Sequence, residues 1–299
     1  MYRKTIFSIA ALGAVVLIFP HQTWNKQLPA VSSASIENQE PSADTVSPEL
    51  IGGSTAPHSS AKSILAIDLN TGTVLYSQNP AEKLPIASLT KLMTAMVVSD
   101  HASKDQVVTI DKADTQVTCL CVGLLAGEQL TVENLLKAML IPSSNDSAKA
   151  LARFTGGDEV AFVKMMNDKA AELGLADTHF SNPAGLDSPD NYSTAQDLSK
   201  IAQEFLKYSL LERIVATGGM DVSSVDGKFV HHLRTSNKLL LENSEVVGVK
   251  TGFTNDAQGN LIIKIDHNGI KVLTIVLNTP NREDDTRNLI DWIFHAYRW

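Results

Sequence analysis

The order in which hydrophobic periodicity changes along the chain constrains the fold most. Ile64-Leu65-Ala66-Ile67-Asp68 and Thr73-Val74-Leu75-Tyr76-Ser77 flank a turn that carries Asn70 and Gly72, which predicts a β-hairpin. A helix is expected after Ala87, with Ser88 as its N-cap and Leu92, Met93, Met96 and Val97 as an apolar stripe. Helical patterns then dominate: Thr131 caps a segment through Leu140, Ser144 or Asn145 opens one through Ala152, and residues 158–173 and 194–208 are amphipathic. Residues 260–266 and 270–277 return to strand character around His267-Asn268-Gly269, and Asn-Gly between apolar runs is the strongest short hairpin signal. Residues 283–297 read as a closing helix. This order predicts an α/β chain of the α+β type. An antiparallel sheet comes from both chain ends, helices flank it, and a helical lobe is inserted. The cleft between sheet and lobe is the natural place for a ligand.

Composition narrows the function classes. The 299 residues carry 25 basic and 33 acidic side chains, a net charge of −8. That acidic balance argues against a nucleic-acid partner, which needs a basic face to neutralise phosphates. At the N-terminus, Arg3-Lys4 precedes 15 uncharged residues, Thr5 to Phe19, closed by Pro20. As a helix that run spans about 22 Å, short of a ~30 Å hydrocarbon core. Residues 1–20 therefore read as a signal peptide or an uncleaved N-terminal anchor. Residues 21–60 are rich in Ser, Ala and Pro without a sustained apolar period and read as a disordered tether. Residues 61–299 read as one folded domain. Cys119 and Cys121 are the only cysteines; a bridge across one intervening residue strains disulfide geometry, so two buried thiols are expected.

Three short motifs carry chemistry. In Ser88-Leu89-Thr90-Lys91, positions three apart share a helix face. Ser88 is then a nucleophile and Lys91 a base whose pKa falls with burial. Ser143-Ser144-Asn145 follows Leu140-Ile141-Pro142; its hydroxyl and carboxamide groups both donate and accept. Lys250-Thr251-Gly252-Phe253 follows an apolar run. It offers a charge, a hydroxyl, a glycine suited to close approach and a backbone N–H for a developing oxyanion. Each motif alone is common, and an ordinary helix cap or turn explains any one of them. Their order and intervals are close to the signature of penicillin-binding proteins and class A β-lactamases.

The chain resembles the low-molecular-mass penicillin-binding proteins, serine-type D-alanyl-D-alanine carboxypeptidases with a β-lactamase/DD-peptidase-like fold. The segments Ile86 to Ala95, Met139 to Asp146 (with Ser144 where glycine is usual), Asn182 to Asp187 and Tyr192 to Ala195 resemble family motifs. Arg282 lies seven residues before Leu289, where the family often has a carboxylate-binding arginine. Gly259 falls one position later than usual, and Ser236 stands where some members have arginine.

The resemblance implies attack by Ser88 on the bond between two terminal D-alanines of a peptidoglycan stem peptide, with proton transfer through Lys91 and Ser143. Asn145, Lys250, Thr251, Gly252, Phe253 and Arg282 bind substrate. β-Lactams are expected inhibitors, and no cofactor or metal is expected. The protein would be exported, to the periplasm or the outer face of the cytoplasmic membrane, with attachment through residues 5–19. An endopeptidase cutting D-alanyl cross-links would use the same residues. A class A β-lactamase needs a Glu-x-x-Leu-Asn pattern, absent between Asn145 and Lys250. A non-enzymatic cell-wall binding module is the remaining alternative. His231-His232 alternate on a strand, which argues against shared metal ligation. Glu283-Asp284-Asp285 complements a helix N-terminus.

Overall fold

The computed structural model describes residues 46–118 and 120–299. The leader or anchor of residues 1–20, the first part of the tether and Cys119 lie outside the described residues. In chain order the strands are β1 (Glu49–Leu50), β2 (Ser63–Asp68), β3 (Val74–Gln78), β4 (Leu84–Pro85), β5 (Val107–Thr109), β6 (Gln129–Thr131), β7 (Tyr192–Ser193), β8 (Gly219–Ser223), β9 (Val230–Arg234), β10 (Val246–Thr254), β11 (Gln258–His267), β12 (Ile270–Thr279) and β13 (Tyr297–Arg298). The helices are α1 (Lys91–His101), α2 (Val132–Leu140), α3 (Asn145–Gly156), α4 (Glu159–Glu172), α5 (Ala195–Phe205), α6 (Ser209–Val215), α7 (Lys238–Glu242) and α8 (Arg282–Ala296).

Among the described residues the main sheet has the order β10-β11-β12-β2-β3, all antiparallel. Both chain ends supply it, as the strand–helix–strand pattern predicts. Alternate residues of β2 enter different cores: Leu65 and Ile67 pack with the helices of the lobe, Ile64 and Ala66 with α8. A strand covered on both faces reads as an unbroken apolar run rather than an alternating one. Helix α1 is the centre of the lobe. Lys91 through Val98 are all buried, so it is covered around its whole circumference rather than along one stripe.

The predicted cap Thr131 accepts a hydrogen bond from the Asn134 backbone N–H, and Asp158 and Thr194, the first residues of the two amphipathic segments, accept from the Ala161 and Asp197 N–H groups, which satisfies donors orphaned at each helix start. The expected helix over 194–208 ends at Phe205, and α6 follows as a separate helix.

Three expectations are corrected. Ser88 is not a cap: it sits inside a 3-10 turn, Ala87–Thr90, that precedes α1. Part of the tether is ordered. β1 pairs with β13, and Ile51 N–H donates to the Ala296 carbonyl at 2.7 Å; backbone pairing of this kind leaves no compositional trace. Cys121 is disulfide-bonded rather than a buried thiol. Residues 117–118 and 120–123 lie outside regular helix or strand, so the geometry of an extended segment does not apply at Cys121.

Candidate active site

Ser88 reaches its position because two glycines let the chain close on it. Ala87 has φ +49, in the left-handed region. A Cβ on Gly185, itself at φ +81, would lie 1.9 Å from the Ala87 carbonyl oxygen. A Cβ on Gly252 would lie 2.9 Å from the Ile86 carbonyl oxygen and 3.3 Å from Ser88 N. The turn carrying Ser88 is thus pressed between β10 and the 182–186 turn.

Lys91, the first residue of α1, is fully buried. Its Nζ donates to Ser88 Oγ at 2.8 Å, Asn145 Oδ1 at 2.8 Å and the Ala184 carbonyl at 2.6 Å. Three acceptors match the three hydrogens of an ammonium. Burial, and then the neighbouring Lys250 ammonium, hold Lys91 well below the ordinary lysine value, against an opposing pull from Asp146. A lysine that loses its proton here presents a lone pair to the Ser88 hydroxyl.

The 182–186 turn that holds Lys91 is built by one side chain. Asn182 Oδ1 accepts from the N–H groups of Ala184, Gly185 and Leu186 at 3.2, 2.7 and 2.9 Å. Thr94 Oγ1 donates to the Pro183 carbonyl at 2.7 Å. Residue-type reasoning assigned no role to Ala184, because its contribution is a backbone oxygen. The Asn182 turn was the available signal.

Ser143 faces the same cleft from the loop before α3. Its φ is +70, and its buried Oγ has no hydrogen-bond partner among the described residues. A buried hydroxyl without a partner costs about 1–3 kcal/mol, and such exceptions concentrate where a group is kept free to react. Asn145 Nδ2 donates to the Thr118 carbonyl at 2.7 Å, which orients Oδ1 toward Lys91. Ser144, in place of the usual glycine, has a use of its own. Its Oγ accepts from Val122 N–H at 3.1 Å and bonds Asp146. Asp146 Oδ2 in turn accepts from the N–H groups of Gly123 and Leu124. The loop carrying Thr118 and Leu120 is thereby tied to α3. A buried His231 Nε2–Glu128 Oε1 contact of 2.7 Å ties its far end to β9. Glu128 was not singled out from the sequence. His232 points the other way, to Asp221.

Across the cleft, β10 is the edge of the sheet among the described residues. Lys250 is buried, with Nζ 3.1 Å from the Thr251 carbonyl oxygen. Burial, and then Arg282, bring its pKa down to about 7. Thr251 Oγ1 and Ser236 Oγ are 2.6 Å apart, so Ser236 occupies the hydroxyl face of Thr251. Arg282 Nη1 donates to the Gly252 carbonyl at 2.8 Å, and Nε donates to Glu283 at 2.9 Å. Gly259 makes room for it: a Cβ there would lie 3.2 Å from Arg282 Cβ and 2.5 Å from the Thr279 carbonyl oxygen. Phe253 is exposed at the rim, as is Leu120 opposite.

The structure therefore brings all nine predicted site residues together. Ser88, Ser143, Asn145, Thr251, Gly252, Phe253 and Arg282 line one cleft of about 630 Å3, with Lys91 and Lys250 buried beside it. Thr118, Leu120, Leu186 and Ser236 also line it. An open strand edge along a cleft can pair with an extended peptide.

The D-alanyl-D-alanine carboxypeptidase family model matches residues 52–281. The chain belongs to that family. It is 36% identical over 246 residues to D-alanyl-D-alanine carboxypeptidase DacF of Bacillus subtilis, covering 79% of this chain and 63% of that one. The chain thus spans just under two thirds of that relative's length. A D-alanyl-D-alanine endopeptidase of Escherichia coli is 32% identical over 298 residues, 98% of this chain and 88% of that one. Among solved structures, the Streptomyces K15 DD-transpeptidase superposes with a TM-score of 0.76 at 32% identity, over 81% of this chain and 99% of that one. The fold is that of the DD-peptidases and penicillin-binding proteins.

Proposed function

We propose that the protein is a serine D-alanyl-D-alanine carboxypeptidase that removes the terminal D-alanine from peptidoglycan stem peptides. The contact that carries this reading is Lys91 Nζ, buried, cationically crowded and 2.8 Å from Ser88 Oγ. A serine hydroxyl becomes a nucleophile when such a base takes its proton.

Ser88 Oγ attacks the carbonyl carbon of the penultimate D-alanine while its proton passes to Lys91. The oxyanion forms against the backbone N–H groups of Ser88 and Phe253, an effect worth about 3–4 kcal/mol per donor. The C–N bond then breaks, and the leaving amine takes a proton through Ser143, whose hydroxyl has no competing partner among the described residues. Asn145 holds the substrate amide, and Lys250, Thr251 and Arg282 receive the terminal carboxylate. Water, deprotonated by Lys91, releases the acyl group and regenerates Ser88. A β-lactam enters the same path and stalls as the acyl-enzyme.

The deciding experiment pairs two readings. A penicillin probe should label the wild-type protein covalently and leave Ser88→Ala unlabelled; labelling of that variant would sink the assignment. A pentapeptide should release free D-alanine. Monomers from a cross-linked dimer, without release from the pentapeptide, would make the protein an endopeptidase, as two relatives are named.

Export is part of the proposal, supported by Arg3-Lys4 before the uncharged run of residues 5–19. The protein would then work in the periplasm or at the outer face of the cytoplasmic membrane, held there if the segment is retained. Fractionation of cells expressing the full chain tests this: recovery in the cytosol would refute it.

A further inference from the structure

A second cavity of about 230 Å3 adjoins the main cleft, sharing Thr118, Asn145, Ala184 and Leu186 with it. Asn145 lines both, and its side chain is fixed at Lys91 Nζ and at the Thr118 carbonyl. Lys149 and Glu159 are the charged residues that line this annex. Lys149 lies four residues after Asn145 on α3, about one helical turn further along the same face. Glu159 opens α4. Neither takes part in an ion pair with another described residue, in contrast to most charged groups of the lobe.

Reach decides what can enter. A substrate acylating Ser88 places its D-alanyl residue against Asn145. The preceding residue begins about 3.8 Å further on, from Cα to Cα, and is the first whose side chain can pass Asn145. Charge decides what is held. A cation and an anion facing one small cavity complement a group that carries both a carboxylate and an ammonium. A plain amine would meet Glu159 but also the repulsion of Lys149.

Resting on the acyl-transfer reading above, we infer that the annex is a specificity site for the residue before the D-alanines. It takes a side chain ending in an amino-carboxylate, with Lys149 on the carboxylate and Glu159 on the ammonium. The stem-peptide class it selects is one with a diamino-dicarboxylic acid at that position rather than lysine.

Two pentapeptides that differ only there, meso-diaminopimelate against lysine, test this with the full chain. The wild-type protein should favour the diaminopimelate peptide about tenfold in kcat/KM, the size expected for partly exposed charge pairs. Lys149→Met should erase that preference by weakening the diaminopimelate peptide alone. Glu159→Gln should weaken both peptides. Penicillin acylation, which does not use this side chain, should be unchanged in both variants. Equal use of the two peptides by the wild type, or a preference that survives Lys149→Met, would overturn the inference. Calorimetric binding of the same peptides to Ser88→Ala reads the annex without turnover. The acyl-transfer reading fails separately, through absent penicillin labelling of the wild type.

Discussion

The Ala87 carbonyl and the Cα of Gly185 are in such close approach that a methyl group on Gly185 would lie 1.9 Å from the carbonyl oxygen. Gly185→Ala must therefore push the 182–186 turn away from Ser88, and it also forces alanine into φ +81. The expected loss is about 3 kcal/mol or more of stability, with penicillin labelling abolished. Gly227→Ala is the control. It has φ +71 but open space around it, so it should cost about 1–2 kcal/mol and leave labelling intact. Thermal unfolding and gel-based labelling read both.

The rate of acylation should depend on pH through two lysines with opposite requirements. Lys91 must be neutral to accept the Ser88 proton, so the rate rises as pH passes its lowered pKa. Lys250 must keep its charge to receive a carboxylate, so the rate falls as pH passes about 7. Lys250→Arg keeps a charge throughout this range. That variant should be slower, with the descending limb near pH 7 removed. A limb that persists would assign the titration elsewhere.

The same lysine should shape stability. Its pKa is about 7 in the folded protein against 10.5 for a free side chain, so between these values the unfolded chain holds a proton the native state lacks. Stability then rises with pH across that window, by up to about 1.4 kcal/mol per unit from this group. Below about pH 7 the contribution is lost. Lys250→Met should flatten that part of the stability profile and melt higher than wild type at pH 6, with denaturant titrations as the measurement.

Asn182 takes no part in proton transfer, yet it sets the Ala184 carbonyl against Lys91. Asn182→Ala removes four hydrogen bonds to the turn, three accepted by Oδ1 and one donated by Nδ2 to the Leu186 carbonyl. Penicillin acylation should slow about tenfold to hundredfold, the kinetic equivalent of one or two charge-assisted hydrogen bonds. The protein should still bind and label slowly. An unchanged rate would show that Lys91 is positioned without this turn.

Much of this was legible in the residues. Hydrophobic periodicity located the strands from both ends, because period-two and period-3.6 patterns reflect which faces must be buried. The Thr131 cap was readable because its own side chain does the capping. What escaped was chemistry supplied by backbone or by distant packing. Ser88 looked like a cap because serine before an apolar helix usually is one; the close approaches of Gly185 and Gly252 that hold it in a 3-10 turn come from segments about 100 and 160 residues away in sequence. The Ala184 carbonyl has no residue-type signature. Glu128 and His231 are 103 positions apart, and nothing local marks them as partners. Arg282 was found through a family pattern, but the reason it fits, a missing Cβ on Gly259, required the strand register.

Ser88 stands where β10, the 182–186 turn and, through Lys91, α3 all meet. Its reactivity is consequently a gauge of tertiary assembly. On heating, any loosening of the sheet against the helical lobe separates these parts before a single helix melts. A fluorescent β-lactam should therefore stop reacting several degrees below the temperature at which helical circular dichroism is lost, and so report incipient unfolding before any change in helix content.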